Sequence, residues 1–88
     1  MTTQEQAEVR IVIAQRGWVF VGKYAENTDT DTVVLEDASV IRRWGTKKGL
    51  GELVNGPLPN TVLDACGRVE MHRLAMLASI VCDASKWA

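Results

Sequence analysis

Val9, Ile11 and Ile13 alternate with Arg10, Val12 and Ala14, and that alternation constrains the fold more than any other feature of the chain. A period of two is the signature of a strand with one well-buried face. Arg16-Gly17 interrupts the pattern, and Trp18-Val19-Phe20-Val21-Gly22-Lys23-Tyr24 resumes it with apolar residues on both faces, which suits a central strand. Two such runs joined by a tight turn at Arg16-Gly17 predict a hairpin.

The rest of the chain extends the same reading. Residues 26–31 (Glu-Asn-Thr-Asp-Thr-Asp) read as a loop, because Asn, Asp and Thr bond to their own backbone and compete with a ladder. Residues 32–35 form a third strand, residues 36–39 a turn and residues 40–44 a fourth strand. Leu50, Leu53 and Val54 have the spacing of one helical turn facing inward, and Asn55-Gly56-Pro57-Leu58-Pro59-Asn60 ends it. Residues 61–65 make a fifth strand, and Gly67 permits a sharp reversal into residues 68–71. The last segment fits two templates: Leu74, Leu77, Ala78 and Val81 suit a helix, whereas Met76, Ala78, Ile80 and Cys82 suit a strand. Ile80-Val81-Cys82 favours the strand, placed over residues 77–82. The expected fold class is mostly β, a small barrel-like or rolled antiparallel sheet with one short helix. Residues 1–7 are expected to be a flexible N-terminus and residues 8–88 a single globular domain. Its expected core is Val9, Ile11, Ile13, Trp18, Phe20, Val33, Leu35, Ile41, Leu53, Leu63, Val69 and Ile80.

With 88 residues, such a domain buries only roughly 60% of its unfolded surface, so its core is marginal and a second subunit would help. The formal net charge of -1 argues against a general nucleic-acid binder. Charge is nevertheless segregated. Glu26, Asp29, Asp31, Glu36 and Asp37 occupy a window without Lys or Arg, and Arg42, Arg43, Lys47 and Lys48 follow at once. The default reading is two solvated surface patches; the alternatives are that the blocks offset each other within the fold or act as ends of a self-complementary interface, and a homo-oligomer is expected. Cys66 and Cys82 do not make a disulfide framework. The polar first eight residues lack the apolar core of a signal peptide, and no run approaches the roughly 20 apolar residues that span a bilayer. The expectation is a cytoplasmic protein with free thiols and no membrane partner.

Chemistry concentrates in one place. Residues 41–53 hold four cations, Trp44 and three glycines. Arg and Lys beside an indole, on a backbone freed by Gly, suit an anion or a flat ring. The candidate ligand- or partner-binding residues are therefore Arg42, Arg43, Trp44, Lys47 and Lys48. Other chemistries find little support. His72, Cys66, Cys82 and Asp83 lack paired-ligand spacing for a metal. Cys66 with His72 is a weak candidate for nucleophilic catalysis. Asp29 and Asp31 resemble part of a calcium loop but lack its glycine and distal glutamate. Gly49-Leu50-Gly51 completes neither phosphate-loop pattern. No cofactor and no enzymatic activity are expected.

The run Val40-Ile41-Arg42-Arg43-Trp44, then Gly49-Leu50-Gly51-Glu52-Leu53, Asn55-Gly56, Thr61-Val62-Leu63 and Ile80-Val81-Cys82, resembles a group of small proteins of tailed bacteriophages. Those proteins share a strand with an Arg-rich Trp motif, a short Leu-x-Glu-Leu segment with Gly, and a terminal Ile-x-Cys strand. Val54 stands where the group has alanine after Glu-Leu. The resemblance implies a phage accessory protein of mostly β fold that binds a host protein, as a host-takeover or anti-defence factor. The basic block leaves two alternatives open: a sponge for an anionic nucleotide or signalling molecule, and a nucleic-acid-binding protein.

Overall fold

The computed structural model describes residues 8–87. The expected flexible segment, residues 1–7, lies outside the described residues. The chain forms a five-stranded antiparallel sheet in the order β4-β3-β2-β1-β5, built from β1 (Val9–Ala14), β2 (Val19–Asn27), β3 (Thr32–Arg43), β4 (Val62–His72) and β5 (Met76–Val81). Mostly β, as the alternation predicts, it places β2 at the centre.

The first hairpin closes at Arg16 and Gly17, both with positive φ, and the Ala14 amide donates to the Trp18 carbonyl at 2.8 Å. Residues 32–44 depart from expectation. Where a turn is expected at residues 36–39, β3 runs through, and Asp37 with φ 50 shifts the register as a bulge. The expected reversal at Gly67 is likewise a bulge inside β4, with φ 78 and Ala38 opposite it. Bulge faces bulge, so both strands bend at one level instead of ending. β5 spans Met76–Val81, which resolves the ambiguous last segment as strand. The expected helical turn at residues 50–54 is a 3₁₀ segment, Leu50–Asn55.

Both faces of the sheet are apolar, so there are two cores. On one face Val9, Ile11, Val19, Val21 and Ile41 pack with Cys82 and are covered by Leu50 and Leu53 of the 3₁₀ segment, with Trp87 and Leu58 at the margin. On the other, Val12, Leu35 and Ala38 are buried beside Phe20, Tyr24, Val69, Met71 and Met76. All five strands contribute residues to this second core. Of the expected core, Ile11, Val33, Leu35 and Leu53 are fully buried, but Trp18 is 53% exposed. It sits just before β2, past the last of the apolar cross-strand partners. Val12, which the alternation places on the face opposite Ile11, is also fully buried. A second core behind β1 is what the period-two pattern could not reveal.

The charge blocks do not offset each other, which is the default reading of them as solvated patches. The acidic residues pair elsewhere: Asp37 with Lys23 at 2.9 Å, Glu36 with Arg68, and Asp31 with Arg73 at 3.6 Å. Arg42 pairs with Asp64 at 2.8 Å. Among the described residues no ion pair joins the two blocks. All these pairs are exposed, so each adds little stability.

Candidate functional site

The five candidate residues lie at the end of β3 and in the loop that follows, and all five are exposed. Trp44 is 42% exposed and belongs to neither core. The loop that carries them is tightly held. Gly45, with φ 69, packs so closely on the Asn60–Thr61 peptide that a Cβ would lie 2.4 Å from the Asn60 carbonyl carbon. Thr61 Oγ1 donates to the Trp44 carbonyl at 2.7 Å and accepts from the Leu58 amide at 2.9 Å. Trp87 Nε1 donates to the Leu53 carbonyl at 2.8 Å, and the Asp83 amide donates to the Val54 carbonyl at 2.9 Å. Leu50 and Leu53 anchor the segment in the core. A buried apolar base thus supports an exposed, cationic rim.

The rim carries its own anion. The backbone amides of Lys47 and Lys48 donate to the two carboxylate oxygens of Glu52, at 3.4 and 2.6 Å. Successive amides turned toward one point make an anion-binding concavity, and here Glu52 fills it. The ammonium groups of Lys47 and Lys48 and the guanidinium of Arg43 form no ion pair among the described residues. They remain available to a partner.

A second feature at the same end of the sheet escapes a sequence reading. Trp18 stacks on Phe20, with ring centroids 5.8 Å apart and planes 4° from parallel. The two rings wall an open apolar groove of about 260 Å³, closed on the other side by Val69, Met71 and Ala75. Continued beyond its last pair, Phe20 with Val40, the β2–β3 register brings Trp18 level with Arg42. The sole sequence signal for this arrangement is that Trp18 directly follows the Arg16-Gly17 turn.

The weaker chemical candidates find structural roles. His72 Nδ1 accepts from the Leu74 amide at 3.1 Å, capping the turn into β5. Cys66 and His72 both lie on β4, where six residues of extended chain separate them by roughly 20 Å, so they form no dyad. The Asp29 amide donates to Asn27 Oδ1 at 3.0 Å in a hairpin turn. No group of three or more His, Cys, Asp or Glu converges on a metal position among the described residues. Among the described residues no helix is long and apolar enough to cross a membrane. Burial pushes the Cys82 thiol upward, partly countered by a backbone hydrogen bond from Ile11, while Cys66 is exposed. Thiolate is the reactive form. Brief iodoacetamide treatment of the native protein at neutral pH should therefore alkylate Cys66 and spare Cys82. Peptide mass spectrometry checks this, and equal labelling would contradict the burial of Cys82.

Compared with known proteins, the chain matches no protein-family model and no curated protein sequence. The reading of the site therefore rests on its geometry.

Proposed function

We propose that the chain is a non-enzymatic binding module that engages a protein with an acidic surface. In the setting the phage resemblance implies, that partner is a host protein. The observation that carries this reading is the anchored rim: Arg42 and Arg43 at the end of β3, and Trp44, Lys47 and Lys48 on the following loop, are all exposed, and Leu50, Leu53 and Trp87 anchor that loop. Trp and Arg dominate the energetics of protein interfaces, and a loop that is already ordered loses little entropy on binding. Trp18 at the same end of the sheet adds a second exposed indole. The alternative, capture of an anionic nucleotide, is less favoured because Glu52 already takes the Lys47 and Lys48 amides that a phosphate would need.

The test is a pull-down from bacterial lysate with the wild type and with an Arg43→Glu/Lys47→Glu/Lys48→Glu variant, both verified as folded by circular dichroism. The expected result is a partner retained by the wild type and released by the variant, with affinity reduced tenfold or more and weakened further by salt. A partner held equally by both proteins would overturn the reading. So would a purified wild type carrying bound material that absorbs near 260 nm and is absent from the variant, which would favour the nucleotide alternative.

A further inference from the structure

The two outer strands of the sheet are protected very differently. β4 presents Asp64, Arg68 and Glu70 and is bent by the Gly67 bulge, devices that discourage pairing with another chain. β5, Met-Leu-Ala-Ser-Ile-Val, has no charge and no proline in its six residues, and its single register irregularity falls at Leu77, between Met76 opposite Ala14 and Ala78 opposite Ile13. Leu77 is 66% exposed and Val81 53% exposed. On an outer strand, that composition invites a partner strand.

The ladder shows which backbone groups are free. The Cys82 amide donates to the Val9 carbonyl at 2.9 Å, so Cys82 and Val9 are a hydrogen-bonded pair. Hydrogen-bonded pairs recur at every second residue of an antiparallel ladder. Ile80 opposite Ile11 and Ala78 opposite Ile13 therefore point their amides and carbonyls toward β1. Ser79 and Val81 point theirs outward, to the open edge of the sheet, and the planar peptide that turns the Ala78 amide inward turns the Leu77 carbonyl outward.

We propose that β5 pairs antiparallel with β5 of a second copy, around a two-fold axis at Ser79. In this register Ser79 faces Ser79 of the other copy, and Leu77 faces Val81 in both directions. It is the register in which Ser79 pairs with its own copy and the outward Val81 amide meets the outward Leu77 carbonyl of the other copy. It also sets the two exposed apolar side chains of one copy against those of the other, with the small Ser79 at the axis. No like charges oppose each other within the paired strands. The interface is isologous and closes at two copies, joining the two sheets into one. The pairing leaves the cationic side chains of the rim uncovered, and the open edge ends just past Val81, where the Asp83 amide donates to the Val54 carbonyl of the rim's own loop.

Light scattering with size exclusion, across a concentration series, should give twice the 9.7 kDa chain mass. Leu77→Lys and Val81→Glu alone should each weaken the dimer several-fold. Both side chains are exposed, so neither change disturbs the core. The Leu77→Lys/Val81→Glu double variant should recover the dimer, because the register sets the new cation of each copy against the new anion of the other. Hydrogen exchange reads the same register: the Ser79 and Val81 amides should be slow in the wild type and fast in Leu77→Lys, with Ala78 and Ile80 slow in both. A wild type that is monomeric at high micromolar concentration would overturn the proposal. So would single variants that dimerise like the wild type, or a double variant no better than either single one.

Discussion

Leu53→Ala should lower the stability of the domain by about 2–5 kcal/mol, read as the shift in a guanidinium unfolding midpoint. Leu53 is fully buried, packed in the core that contains Val9, Ile11, Val21 and Ile41. Truncating it leaves a cavity beneath the segment that covers this face of the sheet. Its carbonyl also accepts from the Gly56 amide at 3.1 Å and from Trp87 Nε1 at 2.8 Å, so the displaced backbone would carry both partners with it. Small domains are stable by only about 5–15 kcal/mol, and the loss is a large part of that. An unchanged midpoint would mean that the Leu50–Asn55 segment does not seal the core.

Gly45→Ala should disturb the cationic rim and cost about 1–3 kcal/mol. At φ 69 a side chain is already strained, and here the new Cβ would also lie 2.4 Å from the Asn60 carbonyl carbon and 2.6 Å from the Thr61 nitrogen. Two stretches of backbone must part, and the Thr61 hydroxyl loses the Trp44 carbonyl. Gly51 is the control: nothing lies within 4 Å of a Cβ built there, so Gly51→Ala should be close to neutral. Amide chemical shifts would locate the effect. For Gly45→Ala, changes should concentrate between residues 44 and 61, and an unperturbed loop would show that the close approach to Asn60 is not maintained in solution.

The first hairpin was legible because its two signals agree: alternation through residues 9–14, then a glycine where the chain must reverse. The bulges were not legible, for a physical reason. Asp37 and Gly67 adopt the left-handed backbone that also makes turns, and a single strand's sequence does not say which will form. Only the pairing of Ala38 with Gly67 decides it, because each irregularity finds its match across the ladder. The four cations of the candidate site were legible as surface, since charges so close together resist burial, whereas Trp44 read equally well as core. Its Glu52 bridge was less so, because a carboxylate in a basic loop reads equally well as solvated. The groove beside Trp18 and Phe20 draws its walls from β2 and from the end of β4, and no local pattern joins residues so far apart in the chain.

The pairing of β1 with β5 has a consequence for how the protein is made. β1 lies between β2 and β5, and Arg10 finds its partner Val81 only across almost the whole length of the chain. During translation, therefore, β1 can dock on β2 early, but its other edge, carrying the amides of Val9, Ile11 and Ile13, stays open until the last strand has left the ribosome. Closing so long a loop is slow, and it must come late. A nascent chain that stalls or is truncated before residue 76 would expose an apolar strand on a half-built sheet. Such a product is a natural substrate for chaperones and proteases, and synthesis through β5 is the step that removes it from their reach.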